Sequence, residues 1–154
     1  VAELALAFDM QVIAYTRTAK DLDDVEEVSL AELAVRSDYV SLHCALSQEN
    51  SGLINREFFA KMKQSAFIIN TARGGLIDEN ALIDALQNKL IAGAALDVLT
   101  TEPPAKDNPL LTMPNVIVTP HIAWGPLEAR QRCLDITESN IASFIYGEPQ
   151  NLLN

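Results

Sequence analysis

Residues Ala66 to Asp78, AFIINTARGGLID, contain the strongest structural signal in the sequence. The first five residues are a short apolar run with β-branched side chains, which is typical of a buried strand. The glycine pair that follows predicts a backbone turn in which side chains would be in the way, and Asp78 is a favourable N-cap for a helix over residues 79–89. Arg73 is therefore expected at the carboxyl end of a buried strand, the edge at which open α/β sheets bind ligands.

The same alternation of strand and helix continues in both directions along the chain. Apolar runs predict strands at residues 10–15, 38–43, 66–70, 91–98 and 116–119. Caps and helical spacing predict helices at residues 1–8, 30–36, 56–62, 79–89 and 127–146, with an acidic loop over residues 19–27. Strands that alternate with helices form parallel sheets with right-handed crossovers, so the predicted fold is α/β, a doubly wound parallel sheet.

Composition limits the class of protein. With 154 residues, of which 49% are hydrophobic, the chain is long enough for one domain with a core and too short for two ordinary ones. The net charge of -10 argues against nucleic acid or an anionic membrane as the main partner, although local amides and arginines can still bind an anionic cofactor. The sequence has no apolar run long enough to span a bilayer and no signal peptide, so we expect a cytoplasmic protein.

Several single residues have ordinary structural interpretations. Cys44 and Cys133 are too few for a disulfide scaffold and lack the spacing of a metal site, so we expect buried thiols and no metal. His43, inside an apolar strand, is expected to be a hydrogen-bonded core histidine. Trp124 either lines a substrate pocket or covers the last helix.

Three polar groups follow the predicted strands: Arg73, the loop from Asp97 to Glu102, and His121. An arginine fork matches a carboxylate, a histidine exchanges a proton near neutral pH, and a neighbouring carboxylate orients the imidazole and favours its protonated form. Together these groups suit the reduction of a 2-oxo acid, with the hydride supplied by a nicotinamide dinucleotide. The alternatives are an ion-paired surface arginine, an ordinary loop carboxylate and a histidine that merely ends a strand.

Three blocks of sequence carry a resemblance to a known family. They are NTARGGLIDENAL at residues 70–82, AALDVLTTEPP at 94–104 and NVIVTPHIAW at 115–124. In this order and at these separations they resemble the D-isomer-specific 2-hydroxyacid dehydrogenases. Within the family, HIAW, EARQR at residues 128–132 and the ending PQNLLN are most similar to glycerate dehydrogenases, also called hydroxypyruvate reductases.

The resemblance implies an oxidoreductase that transfers a hydride between NAD(P)H and a small 2-oxo or 2-hydroxy acid, with hydroxypyruvate and glyoxylate as the leading substrates. It implies that Arg73 holds the substrate carboxylate and carbonyl. It also implies that Glu102 pairs with His121, and that His121 is the general acid in the reduction direction. A homodimer is expected for the full-length form, and the alternative function is a dinucleotide-responsive binding or co-repressor module without significant turnover.

The resemblance further implies a cofactor surface formed by Thr16, Arg17, Thr18, Cys44, Ala45, Thr71, Ala72, Arg73, Asp97 and His121. Asp97 would contact the nicotinamide carboxamide. NAD-preferring members usually carry an acidic residue where Thr16 stands, and Arg17 can meet a 2′-phosphate. We therefore favour acceptance of NADPH, whereas an Arg17 side chain directed to solvent would leave NADH as the cofactor.

The main departure from the family pattern is the absence of a GxGxxG turn anywhere in the sequence and of a strand before Val1. We therefore expect a Rossmann-like fold that lacks its first strand and glycine-rich turn. Residues 1–124 would be a partial dinucleotide-binding domain, and residues 125–154 a long helix and tail returning towards a substrate domain. Such a chain is expected to be marginally stable or to associate, and to be inactive by itself.

Overall fold

The computed structural model describes residues 1–18 and 23–152. The strands are β1 (Ile13–Ala14), β2 (Glu26–Glu27), β3 (Tyr39–Leu42), β4 (Phe67–Asn70), β5 (Gly93–Leu96) and β6 (Val116–Val118). The α-helices are α1 (Ala2–Ala7), α2 (Leu30–Arg36), α3 (Arg56–Lys61), α4 (Glu79–Gln87) and α5 (Leu127–Ile145). Single 3₁₀ turns occur at Gly74–Leu76 and Pro109–Leu111. Every predicted helix and strand is present; α2 has the predicted bounds, and the other elements are shorter than predicted.

The predicted acidic loop differs from the structure in one respect. Residues 19–22, its first part, lie outside the described residues, and its last part contains strand β2, which pairs in parallel with β1. Glu26 and Glu27 have low strand propensity and are exposed, so neither the composition nor the alternation of side chains predicts a strand here. The pairing of Ala14 with Glu27 places this carboxylate beside the end of β1.

The main sheet has four parallel strands in the order β3-β4-β5-β6, which confirms the predicted α/β class. Val40, Ile68, Ala94 and Val116 lie in one register row across the sheet. Strands β1 and β2 form a separate sheet, and none of the described strands joins the two sheets.

One face of the main sheet contains the core. Buried side chains from β3, β4 and β5 pack with apolar residues of α2, α3 and α4 in a single cluster that includes Val40, Ile68, Leu96, Phe59 and Leu82. Side chains alternate between the faces of a strand, so the intervening residues form the opposite face. On that face Tyr39 and Ile117 are 58% and 67% exposed.

Local capping explains where the helices begin. Ser29 and Glu32 form the predicted capping box, with the Glu32 N–H donating to Ser29 Oγ at 3.2 Å. Asn55 accepts from the Phe58 N–H at 3.0 Å, and Asp78 accepts from the Ala81 N–H at 3.1 Å. Each side chain satisfies a helix N–H that has no partner in its own helix.

The chain consists of two compact units, residues 1–120 and 121–154. The boundary lies four residues before the end of the predicted partial dinucleotide-binding domain. Within the described residues, no helix has both the length and the apolar character needed to cross a membrane.

Candidate active site

Asn70 shapes the loop that carries Arg73. It is the last residue of β4 and is fully buried. Its Nδ2 donates to the Arg73 carbonyl at 2.9 Å, and its Oδ1 accepts from the Ala72 N–H at 3.0 Å. A buried amide with both ends satisfied holds the three-residue loop in one conformation. The sequence pattern predicts Asn70 only as part of a strand. Its position as a polar residue at the end of a buried apolar run is the signal that could have indicated a positioning role.

The Arg73 side chain is exposed at the carboxyl end of the sheet, as predicted. One of its guanidinium nitrogens, Nη1, donates to the Ala72 carbonyl at 2.6 Å. The structure gives Arg73 no ion pair with a carboxylate of the described residues, so the alternative of an ion-paired surface arginine finds no support there. Thr71 is exposed and Ala72 half-buried in the same loop.

Gly74 brings the Arg73 loop against the chain that follows β5. A Cβ atom at Gly74 would lie 2.0 Å from the carbonyl oxygen of Leu99, so a side chain at this position would overlap the backbone. Gly75 is less restricted, because a Cβ there would meet the end of the Leu46 side chain at 2.9 Å. The prediction that side chains would obstruct this turn is confirmed most clearly at Gly74.

Glu102 lies in the loop after β5 and is exposed. Its carboxylate Oε1 accepts from the Leu99 N–H at 2.9 Å. Leu99 therefore contacts Gly74 through its carbonyl and Glu102 through its N–H. The loops that carry Arg73 and Glu102 share one short stretch of backbone.

Asp97 is a buried carboxylate, 5% exposed, directly after the last residue of β5. Thr119, directly after β6, donates from Oγ1 to Asp97 Oδ1 at 2.5 Å. Burying a carboxylate is costly unless hydrogen bonds satisfy it, which explains the threonine beside it. Contact of Asp97 with a nicotinamide carboxamide stays a prediction.

His121 opens the second unit and has a left-handed backbone conformation, with φ +53°. Such conformations are uncommon outside glycine and concentrate at functional sites. The Trp124 indole N–H donates to the His121 carbonyl at 2.8 Å and closes the turn between them. Neither predicted position of Trp124 is established, since its side chain is largely exposed and its observed contact is with this turn.

The residues predicted to read the adenosine ribose follow strand β1. Thr16 Oγ1 lies 2.7 Å from Glu27 Oε1 and 2.9 Å from the Thr18 carbonyl. Arg17 Nη1 is 3.6 Å from Glu49 Oε2, and both side chains are highly exposed. Thr16 replaces the acidic residue that is usual in NAD-preferring members, but the Glu27 carboxylate lies beside it and supplies a negative charge there. The sequence did not reveal this because strand β2 was not predicted.

The prediction of buried thiols is wrong, since Cys44 and Cys133 are both exposed. Cys44 lies in the loop after β3, and Cys133 is on α5, which contributes no buried residue. Next to Cys44, the Ala45 carbonyl accepts from Asn50 Nδ2 at 2.7 Å, which closes this loop. Cys44 and Ala45 are both exposed, and contact of either residue with a cofactor stays a prediction.

The interpretation of His43 as a core histidine is also wrong. Strand β3 ends at Leu42, and the exposed His43 ring hydrogen-bonds Ser41, with 2.8 Å between Nε2 and Oγ. Partial desolvation lowers the pKa of His43 below its ordinary value.

The first unit brings together Arg73, Asp97 and Glu102, on loops that follow the neighbouring strands β4 and β5. Thr16 to Thr18 follow β1 in the separate two-stranded sheet, and His121 belongs to the second unit. Joint action of Arg73, Glu102 and His121 therefore stays a prediction. Among the residues that the structure describes, no three His, Cys, Asp or Glu side chains are arranged to hold a metal ion.

Comparison with known proteins adds independent findings. Residues 1–123 match the model of the D-isomer specific 2-hydroxyacid dehydrogenase family, NAD binding domain. The chain is 44% identical to a hydroxypyruvate reductase of Blautia hydrogenotrophica over 99% of this chain and 48% of that protein. It is 41% identical to a glycerate dehydrogenase of Methylorubrum extorquens over the same shares.

Among solved structures, an acyclic imino acid reductase in complex with NADPH and D-Arg superimposes with a TM-score of 0.93. The two are 37% identical, and the match covers 99% of this chain and 49% of that one. The chain spans about half the length of the relatives that it matches.

Proposed function

Because the chain belongs to the D-isomer specific 2-hydroxyacid dehydrogenase family, we propose that it is the cofactor-binding part of a 2-oxo acid reductase. The observation that carries this proposal is the Arg73 loop. A buried asparagine holds the backbone of the loop that carries the exposed Arg73 guanidinium, at the carboxyl edge of a parallel sheet and beside the loop that bears Glu102. Hydroxypyruvate and glyoxylate are the proposed substrates, because hydroxypyruvate reductase and glyoxylate reductase are names of similar proteins.

The hydrogen-bonding groups of this chain fit a nicotinamide dinucleotide at both of its ends. The buried Asp97 carboxylate is an acceptor for carboxamide N–H groups, and Glu27 is an acceptor for ribose hydroxyls. Arg17 offers a positive charge to a 2′-phosphate. We propose NAD or NADP as the cofactor, which when bound supplies the hydride.

The proposed mechanism assigns one task to each polar residue. The planar guanidinium of Arg73 binds the substrate carboxylate through two N–H groups and orients the C2 carbonyl. His121 donates a proton to the carbonyl oxygen as the hydride reaches C2, so that the 2-oxo acid becomes a 2-hydroxy acid. The Glu102 carboxylate orients the imidazole. These roles rest on family membership and on the chemistry of the side chains.

The test is substrate-dependent oxidation of NADH or NADPH by the complete gene product that carries this chain. We expect turnover with hydroxypyruvate or glyoxylate. His121→Gln should nearly abolish turnover while leaving cofactor binding in place. Full activity in His121→Gln would remove His121 from the mechanism, and cofactor binding without any turnover in the wild type would favour the non-enzymatic binding module.

Other expectations from the sequence stay proposals. We propose a homodimer for the complete protein, a cytoplasmic location, and a role for the segment after residue 124 in connecting to a substrate domain. Analytical ultracentrifugation of the complete gene product would test the dimer directly.

A further inference from the structure

Glu79 is the first residue of α4, and its carboxylate accepts two hydrogen bonds from the loop after β5. Its Oε2 accepts from the Thr100 N–H at 3.0 Å, and its Oε1 accepts from Asn108 Nδ2 at 2.8 Å. These partners lie near the two ends of the loop that contains Glu102. One carboxylate therefore holds both ends of this loop on the start of a rigid helix.

The two groups that donate to Glu79 have fixed orientations, so neither can readily turn to another acceptor. Thr100 donates through its backbone, directly after Leu99. The Asn108 side chain uses its Oδ1 to accept from the Leu110 N–H at 3.0 Å, which directs its Nδ2 towards Glu79. An amide in place of the Glu79 carboxylate would present an N–H group to one of these donors, and a bond would be lost.

The same helix start is connected to Arg73. Residues 74–78 form the single turn and N-cap between Arg73 and α4, and Gly74 lies against the Leu99 carbonyl. Leu99 in turn donates its N–H to Glu102. The Arg73 loop, the Glu102 loop and the first turn of α4 thus form one network, in which Glu79 and Glu102 are charged acceptors.

We propose that Glu79 is a positioning residue that holds the Glu102 loop at a set distance from Arg73. This inference rests on the proposed function, because it assigns Glu79 a role in substrate use. Glu79 acts through Thr100 and Asn108 and contacts no reacting group. Acidic side chains also stabilise the first turn of a helix, so a purely structural role is the competing explanation.

The experiment compares Glu79→Gln and Glu79→Ala with Asp84→Asn in the complete gene product. Asp84 is a matched control, since it lies on the same helix and pairs with Arg56 on α3, away from both loops. Hydrogen exchange of peptides covering residues 99–108 is measured with the melting temperature, the cofactor Kd, and kcat/KM for hydroxypyruvate.

We expect both Glu79 variants to exchange faster in residues 99–108 and to lose about ten- to a hundredfold in kcat/KM, with unchanged cofactor Kd. Asp84→Asn should lower the melting temperature and leave kcat/KM unchanged. Unchanged hydrogen exchange in Glu79→Ala would show that Glu79 does not hold the loop and would overturn the proposal. Faster exchange with unchanged kcat/KM would leave Glu79 structural and overturn the positioning role. If the wild type does not turn over, the proposed function fails, and the exchange measurement alone decides whether Glu79 holds the loop.

Discussion

At the residue scale, hydrogen bonds made by buried polar side chains fix the geometry of the strand ends. Asn70 holds the Arg73 loop, and Thr119 holds Asp97, in each case at a strand end. A buried amide or carboxylate stabilises the fold only when all its hydrogen-bond partners are present. Removal of one partner leaves the other buried without a hydrogen bond, which destabilises the folded state. Substitutions at such residues should therefore affect stability and substrate use together.

Asn70→Ala should lower the free energy of unfolding by about 1–3 kcal/mol, because the Ala72 N–H and the Arg73 carbonyl lose their buried partner. It should also lower kcat/KM for the 2-oxo acid more than it changes cofactor Kd. Urea denaturation and steady-state kinetics measure the two effects. Asn88→Ala, which removes an exposed amide at the end of α4, is the control. A loss no greater than that of the control would contradict the role of Asn70.

Cofactor preference should depend on two exposed charges near the end of β1. Arg17→Ala should weaken NADPH binding about two- to fivefold, because an exposed cation contributes modestly to binding a 2′-phosphate. Glu27→Gln should strengthen NADPH binding relative to NADH by a similar factor, because a carboxylate beside Thr16 is removed. Calorimetric Kd values for both cofactors measure the effect. An unchanged ratio in Glu27→Gln would exclude Glu27 as a determinant.

At the element scale, the site depends on how a turn and a helix start pack against a neighbouring loop. The 3₁₀ turn at Gly74–Leu76 leads into α4, and its first residue contacts the backbone after β5. Since backbone atoms cannot move aside as a flexible side chain can, the two glycines of this turn should respond differently to an added methyl group.

Gly74→Ala should destabilise the protein by about 1–3 kcal/mol or more, because the new Cβ overlaps the Leu99 carbonyl. Gly75→Ala should cost less, since it meets only the flexible end of Leu46. Thermal melts of both variants provide the comparison. Equal losses would show that the contact at Gly74 is easily relieved.

The start of α2 should be sensitive to acid. Hydrogen bonds from the Ser29 hydroxyl and N–H lower the pKa of Glu32 below its ordinary 4.5. A lowered pKa in the folded state means that the stabilisation is present above the ordinary value and is lost as pH falls through the folded-state value. Stability measured from pH 7 to about pH 3 should therefore fall less steeply in Glu32→Gln. Identical slopes would show that the capping box makes no contribution to acid sensitivity.

At the scale of the whole chain, apolar side chains remain accessible in both units. Tyr39, Phe67 and Ile117 are exposed on the same face of the main sheet, and α5 exposes Leu134, Ile141 and Ile145. Contiguous apolar surface of this kind marks a contact with another polypeptide segment or promotes association.

The isolated chain of 16.8 kDa should therefore associate or unfold without a sharp transition. Light scattering with size-exclusion chromatography and a thermal melt measure both properties. Saturating NADH or NADPH should raise the midpoint if the site binds, because a ligand that binds the native state stabilises it by mass action. A monomer with a sharp transition would refute the prediction of association.

The sequence alone was sufficient for elements and positions that depend on neighbouring residues. The apolar run before Asn70, the glycine pair and the Asp78 cap predicted a strand, a turn and a helix, and therefore the location of Arg73 at the sheet edge. Capping at Ser29 and Asn55 was predicted for the same reason, since a cap contacts a residue only three positions away.

Only the tertiary structure decided which distant side chains meet. Glu79 contacts Thr100 across 21 residues, Thr119 contacts Asp97 across 22, and Thr16 contacts Glu27 across 11. Such pairs leave no local pattern, because they depend on the order and register of the parallel strands. Exposure of the cysteines was also decided at this level, since burial reflects what packs on an element rather than the polarity of one residue.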